Sequence, residues 1–258
     1  MNSGRVNLAG LAVFAALLLL WEYASRSNPE LESYLPPASR VLQSLLRPAF
    51  ARELLGHLAD TLGRFLAGYF LAAALAVGAG MILGYSRTAH GLFEVLIELL
   101  RPLPSVAIIP VAILLFGIGD AMMIAVTVYA AAWPILLATI DGVGAIDRTL
   151  IDTGRTFGLG RWRILRRVAL PAAAPYIATG LRVSLPIALI LVTTAEMVAG
   201  SSGLGYFILD EERSLRTVEM YAGIVVIALA GYALNRLFVA LESRALAWHR
   251  GTTLRGAP

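Results

Sequence analysis

Residues 61–84 read TLGRFLAGYFLAAALAVGAGMILG. A helix that crosses the hydrocarbon core of a bilayer needs about 20 mostly apolar residues, and this stretch supplies them. Five further segments qualify, at roughly 7–25, 94–117, 121–140, 175–199 and 219–241. The composition agrees: of 258 residues, 58% are hydrophobic and 15% charged, whereas soluble domains carry about 25% charged residues. The reading is an all-α membrane protein with six transmembrane helices, forming one domain over 1–258. The third segment holds Arg101, Pro102, Pro104 and Pro110, so it is broken or kinked near its start. At the N-terminus, Arg5 precedes an apolar run from Leu8 to Leu20 that ends in Trp21, Glu22 and Tyr23 with no small-residue cleavage site. That pattern suits an uncleaved first span with an interfacial anchor.

The distribution of arginine sets an expected orientation. With the N-terminus inside and six crossings, the inside holds Arg5, Arg87, Arg148, Arg155, Arg161, Arg163, Arg166, Arg167, Arg244, Arg250 and Arg255. The outside holds only Arg26, Arg40, Arg47, Arg52, Arg213 and Arg216, together with the acids Glu30, Glu32, Glu53, Asp210, Glu211 and Glu212. Positive charge favours the inside, so both termini are expected there. The chain has no Cys and no Lys. Without Cys there are no disulfides or thiolate metal sites, and without Lys there is no G-x-x-x-x-G-K-[ST] phosphate loop. The basic residues interrupt spans rather than forming a soluble basic face, which argues against nucleic acid. His57, His90 and His249 are far apart without metal-ligand spacing, and no Ser has a G-x-S-x-G setting, so no catalytic group is nominated.

Two connections are long enough to have structure. Residues 26–60 carry Asn28-Pro29 and Pro36-Pro37, then a short amphipathic helix with Val41, Leu42, Leu45 and Leu46 on one face, laid on the outer membrane surface. Residues 141–174 are the most polar part of the chain. They are predicted to form two short helices, about 147–157 and 161–169, divided by Gly158-Leu159-Gly160 and stopped by Pro171 and Pro175 before the fifth span.

Within that connection, Asp152-Thr153-Gly154-Arg155-Thr156-Phe157-Gly158 is followed by nine residues and then Val168-Ala169-Leu170-Pro171. This resembles E-A-A-x3-G-x9-I-x-L-P, the cytoplasmic loop signature of the permeases of bacterial binding-protein-dependent ABC importers. Asp152 stands for the Glu, and Thr153-Gly154 for the Ala pair. Leu35-Pro36-Pro37, the run from His57 to Gly68, Arg101-Pro102-Leu103-Pro104, Ile109-Pro110, Phe116-Gly117-Ile118-Gly119, Gly180-Leu181-Arg182, Glu196-Met197 and Gly203-Leu204-Gly205 extend the resemblance over nearly the whole chain. They are similar to the branch that imports taurine, aliphatic sulfonates, nitrate, bicarbonate or thiamine-precursor pyrimidines.

The resemblance implies a type I ABC importer (MetI-like) permease architecture, in which 141–174 is the coupling-helix region. Asp152, Thr153, Gly154, Arg155, Phe157, Gly158, Leu159, Gly160 and Arg161 would then sit in a groove of an ATPase subunit. It also implies a second copy of the permease, two ATPase subunits that carry the ATP and Mg, no cofactor on this chain, and a periplasmic or lipid-anchored binding protein that delivers substrate. The setting would be the bacterial inner membrane. The plainer account of 141–174 is a cytosolic loop whose Arg161, Arg163, Arg166 and Arg167 meet anionic lipid. A stand-alone channel or secondary carrier would have no use for such a polar knob.

Glu196, inside the fifth span near its outer end, is a functional candidate by its cost. It lines a pathway, or it accepts hydrogen bonds from backbone near Gly200–Gly205. Arg182, about four turns earlier, is too far to pair with it, and either snorkels or pairs with Glu94 or Glu98. Tyr129, Trp133, Met122 and Met197 are further pathway or gate candidates, with core packing as the alternative for each. Gly68, Gly78, Gly80 and Gly84 are expected to let helices approach closely.

Overall fold

The computed structural model describes residues 8–247. Every regular element in that range is helical. In chain order these are α1 (Leu8–Ser27), α2 (Pro29–Tyr34), α3 (Ala38–Leu45), α4 (Pro48–Tyr85), α5 (Arg87–Leu100), a 3₁₀ turn (Ser105–Ile108), α6 (Ile109–Phe116), α7 (Asp120–Gly144), α8 (Arg148–Thr156), α9 (Arg161–Ile164), a π turn (Leu165–Ala169), α10 (Leu170–Ala199), α11 (Leu204–Arg213) and α12 (Thr217–Ala245). Five helices are long and apolar enough to cross a membrane, and the α5–α6 pair, bent by 93°, is a broken sixth span or a re-entrant loop. Arg5, His249, Arg250 and Arg255 lie outside the described residues.

α7 runs through the middle, between α4 and α10. Gly68, Ala72, Ala76, Gly80 and Gly84 recur every fourth residue along α4, and Thr127, Ala131, Ile135, Thr139 and Val143 do so along α7. Rows at that spacing form the ridges by which helices interdigitate. Here one ridge is nearly flat, so the backbones come very close. A Cβ added at Gly68 would lie 2.8 Å from the Thr127 Cβ, at Gly80 2.6 Å from the Thr139 Cβ, and at Gly84 2.7 Å from the Val143 Cβ. Gly78 is off this row and faces open space, so its expected role in close packing does not hold. Thr127 and Thr139 satisfy their buried hydroxyls on the Met123 and Ile135 carbonyls within α7, so neither leaves an unpaired polar atom in the seam.

Three expected boundaries move. The helix that holds the second span begins well before 61: α4 starts at Pro48, with Pro in the first turn where its missing N–H costs nothing. At 38 residues it is about 57 Å long, so its first turns project beyond the bilayer. The third segment breaks at 101–104 because Pro102 and Pro104 cannot continue α5, but the helix before the break starts at Arg87, which puts the break in the middle. The predicted stop at Pro171 and Pro175 does not occur. Helix runs unbroken from Arg161 to Ala199. The π turn at Leu165–Ala169 lies just before Pro171, where a wider turn relieves the crowding a proline ring imposes on the preceding carbonyls.

In the 26–60 connection, α3 buries Ala38, Val41 and Ser44. Leu42 and Leu46 point outward, 53% and 80% exposed, so of the expected apolar face only Val41 is fully buried against the protein. The segment before α3 is tied to α1. Trp21 Nε1 donates to the Pro36 carbonyl at 3.0 Å and Ser25 Oγ to that of Leu35 at 2.6 Å.

Candidate functional site

The continuous rod from Arg161 to Ala199 has a distinct assembly at each end. At its start stands a polar knob. Asp147 caps α8, its Oδ1 accepting from the Thr149 N–H at 2.8 Å. That hydrogen bond holds the Asp147 carboxyl below its ordinary range. The helix closes on Gly158, whose φ of +73° is a left-handed conformation that suits glycine. The Gly158 N–H then reaches the Arg155 carbonyl, and the Leu159 N–H reaches that of Gly154.

Of the residues expected to meet an ATPase, Asp152, Thr153, Arg155, Phe157, Gly158, Gly160 and Arg161 are exposed, and Leu159 is half-buried. Phe157 is 81% exposed, with Leu150 on the same helix at 52%. Arg155 Nη1 pairs with Asp152 Oδ1 at 3.0 Å. Gly154 differs from the others. It is turned inward, and a Cβ there would meet Ile164 at 3.5 Å and Leu159 at 3.6 Å, ordinary contact distances. Gly154 therefore belongs to the inside of the knob, where the small side chain of the resembled signature also fits.

At the far end of the rod, Glu196 is the hub of a buried clasp. Its Oε1 takes the Arg64 Nη1 hydrogen at 2.9 Å, and its Oε2 accepts from Thr61 Oγ1 at 2.8 Å and from the Gly205 N–H at 3.0 Å. Arg64 uses its other donors on Asp120 Oδ1 at 2.7 Å and on the Ser202 carbonyl and hydroxyl, each at 2.8 Å. The Leu204 N–H donates to Thr61 Oγ1, and the Gly203 N–H to His57 Nδ1. Glu196 and Thr61 are fully buried and Arg64 nearly so. A charge out of water is tolerated when it is paired and its remaining hydrogen-bonding positions are filled, and here both conditions are met. Gly203 has φ +100°, and a Cβ on it would fall inside the Glu196 carboxylate. The clasp therefore joins α4, the start of α7, the end of α10 and the 200–205 loop. Of the two roles open to Glu196 from sequence, its surroundings are those of a helix-end acceptor.

Of the other pathway candidates only Tyr129 and Trp133 are in contact. Met122 is fully buried, with Ile109, Ala112 and Ala195. Met197 packs beside Leu54 and Phe207. Tyr129 donates from its hydroxyl to the Leu100 carbonyl at 2.8 Å, giving a partner to a carbonyl at the end of α5. Trp133 stands edge-on to Tyr129 at 5.6 Å. Arg182 lines a groove of about 650 Å³ between α10 and α12, while Glu94 and Glu98 line another cavity with Arg101 and Asp141. Sequence reasoning missed Thr61, Arg64, Asp120 and Ser202. The usable signal was a lone Arg inside the apolar 61–84 run.

The family model of the inner membrane component of binding-protein-dependent transport systems matches residues 74–246. The chain belongs to that family. This permease is 31% identical over 252 residues to the taurine transport system permease protein TauC of Escherichia coli, covering 96% of this chain and 91% of that one. It is 30% identical over 247 residues to the bicarbonate transport system permease protein CmpB of Synechococcus elongatus, covering 91% and 88%. With the nitrate import permease protein NrtB of Leptolyngbya laminosa it shares 31% identity over 191 residues, 74% and 68% of the two chains. Its fold is that of a chain in inward-facing structures of the MetNI methionine ABC transporter, with TM-score 0.67, 19% identity, and coverage of 77% of this chain and 98% of that one. An amino acid ABC transporter structure gives TM-score 0.60 at 16% identity, covering 78% and 95%. The permease thus has the type I ABC importer architecture. The family match takes in the knob and Glu196, whereas Thr61 and Arg64 lie ahead of it.

Proposed function

We propose that two copies of this permease form the pathway of an importer for a small anionic solute, a sulfonate, taurine, nitrate or bicarbonate, delivered by a binding protein outside the membrane. The chain acts as a single transmembrane domain with both termini and the 141–174 knob in the cytoplasm. ATP hydrolysis is the work of a separate pair of subunits, since a chain without Lys has no phosphate loop of its own. These subunits grip α8 and the turn after it, at Asp152, Thr153, Arg155, Phe157, Gly158, Leu159, Gly160 and Arg161.

The observation that carries this reading is the exposure of Phe157 and Leu150 on a capped helix outside the spans, joined through α9 to a rod that reaches the clasp. Apolar side chains in such a place suit a partner groove, and a continuous helix transmits the partner's displacement across the membrane. The kinship with taurine, nitrate and bicarbonate permeases supports the substrate class. The test is co-purification with the cognate ATPase, followed by binding-protein-stimulated ATP hydrolysis. Wild type is expected to retain the ATPase and couple, and Gly158→Trp to lose both. Retention and coupling by the variant would refute the docking assignment.

A further inference from the structure

A second feature of the knob lies against the end of α4. Tyr85 and Ser86 at the end of α4, Arg155 on α8, and Arg161, Trp162 and Leu165 at the base of the rod line an open cavity of about 500 Å³. Tyr85 is the last residue of a spanning helix, so the cavity lies where spans leave the bilayer. Between residues 145 and 170 there are six arginines and two aspartates. Among the described residues only Arg155 of these six has an ion-pair partner, Asp152. Arg161 thus brings an unmatched guanidinium to the cavity, beside a phenol and a serine hydroxyl. Trp162 is 66% exposed, and the Arg166 guanidinium lies 5.8 Å from its ring centre. An exposed indole flanked by arginines at this depth is the side-chain chemistry of the headgroup region.

We infer that the phosphate of an anionic phospholipid binds between Arg161, Arg155, Tyr85 and Ser86, with its glycerol against Trp162 and Leu165, and so fastens the knob to the membrane surface. Guanidinium groups with a hydroxyl beside them match a phosphate diester, and the indole and Leu165 supply the apolar margin that the acyl end of a lipid needs. A free phosphate shares the first requirement but not the second. The proposed function also sets Arg155 and Arg161 against the ATPase, so lipid and ATPase share these two guanidiniums, while Tyr85, Ser86, Trp162 and Leu165 belong to the lipid site alone.

The test uses the permease both with and without its cognate ATPase, in nanodiscs of phosphatidylcholine with one quarter phosphatidylglycerol. Native mass spectrometry reads retained lipid and ATPase occupancy separately, so that a failure of the lipid site and a failure of ATPase docking are told apart. Wild type is expected to keep phosphatidylglycerol over phosphatidylcholine by about fivefold or more. Arg161→Gln and Tyr85→Phe should each cut that preference while the melting temperature holds. Arg163→Gln, which removes the same charge from outside the cavity, should leave it. Equal retention of the two lipids would overturn the proposal, as would an Arg163→Gln loss equal to that of Arg161→Gln, which would mean diffuse charge. Displacement of the lipid by inorganic phosphate at matched concentration would reassign the site to a free anion and overturn the lipid assignment.

Discussion

Glu196 shows how a costly residue is held in place. Its carboxylate accepts from Arg64, Thr61 and the Gly205 N–H, so removing it takes from Arg64 its buried counter-ion, leaving only Ser202 and the exposed Asp120, and leaves a buried amide unpaired. Glu196→Ala should therefore destabilise the purified permease by about 3–5 kcal/mol, read as a fall in thermal or denaturant midpoint in detergent. Glu196→Gln, which keeps one acceptor, should cost less. An unchanged midpoint for the alanine variant would remove the clasp from the account. The two glycines of the knob make a second, opposed pair. A Cβ at Gly154 meets only ordinary contacts on a helix, so Gly154→Ala should be neutral or stabilising by up to about 1 kcal/mol. Gly158 sits at φ +73°, so Gly158→Ala should cost about 1–2 kcal/mol. A comparison of the two melting temperatures checks the sign. Glu196 was legible in the sequence as an acid in an apolar run. Its partners were not, because Thr61 and Arg64 are separated from it by 135 and 132 positions, and nothing local in the sequence spans such a distance.

Among the elements, α8 was the most legible. Its predicted bounds of 147–157 fall within a residue of the observed Arg148–Thr156, because a capping Asp and a terminating Gly are local signals. The prolines misled for a related reason. Pro171 reads as a helix stop, but in the structure it sits in the first turn of α10, separated by Leu170 from a π turn, and a single helix continues through a position where local preference alone would end one. The same distinction holds for the glycines of α4. Gly68, Gly80 and Gly84 mattered by sharing a four-residue row against α7, which Gly78 does not share. The cap on α8 makes a prediction about pH. Asp147 has a folded pKa lowered by the Thr149 N–H. Its contribution is therefore present above the ordinary carboxylate range and is lost as pH falls through the lowered value. Asp147→Asn keeps an acceptor that does not titrate, so its melting temperature should fall less than that of wild type as pH drops through this interval. Parallel pH profiles would show that the cap contributes nothing.

For the molecule as a whole, the apolar runs were enough to read a multi-spanning helical protein, and the resemblance of the 152–171 motif to a known signature pointed to an importer permease; both are legible because they are patterns of sequence distance. The rod that links the knob to the clasp was not visible, since it depends on helix continuing through prolines. That rod is the main mechanical feature of the permease. It runs as one 39-residue helix from beside the expected ATPase grip to the buried charge cluster, so a single element joins the knob to the 200–205 loop. The chain has no native Cys, which allows a direct measurement. A photoreactive label can be attached to a single cysteine at Phe157→Cys, with Leu237→Cys on the exposed surface of α12 as the reference, in membranes that also contain the cognate ATPase. The result expected is a covalent adduct with the ATPase from position 157 and none from 237. Absence of an adduct from 157 while the complex hydrolyses ATP in response to binding protein would contradict the assignment of the knob as the place where the ATPase holds the permease.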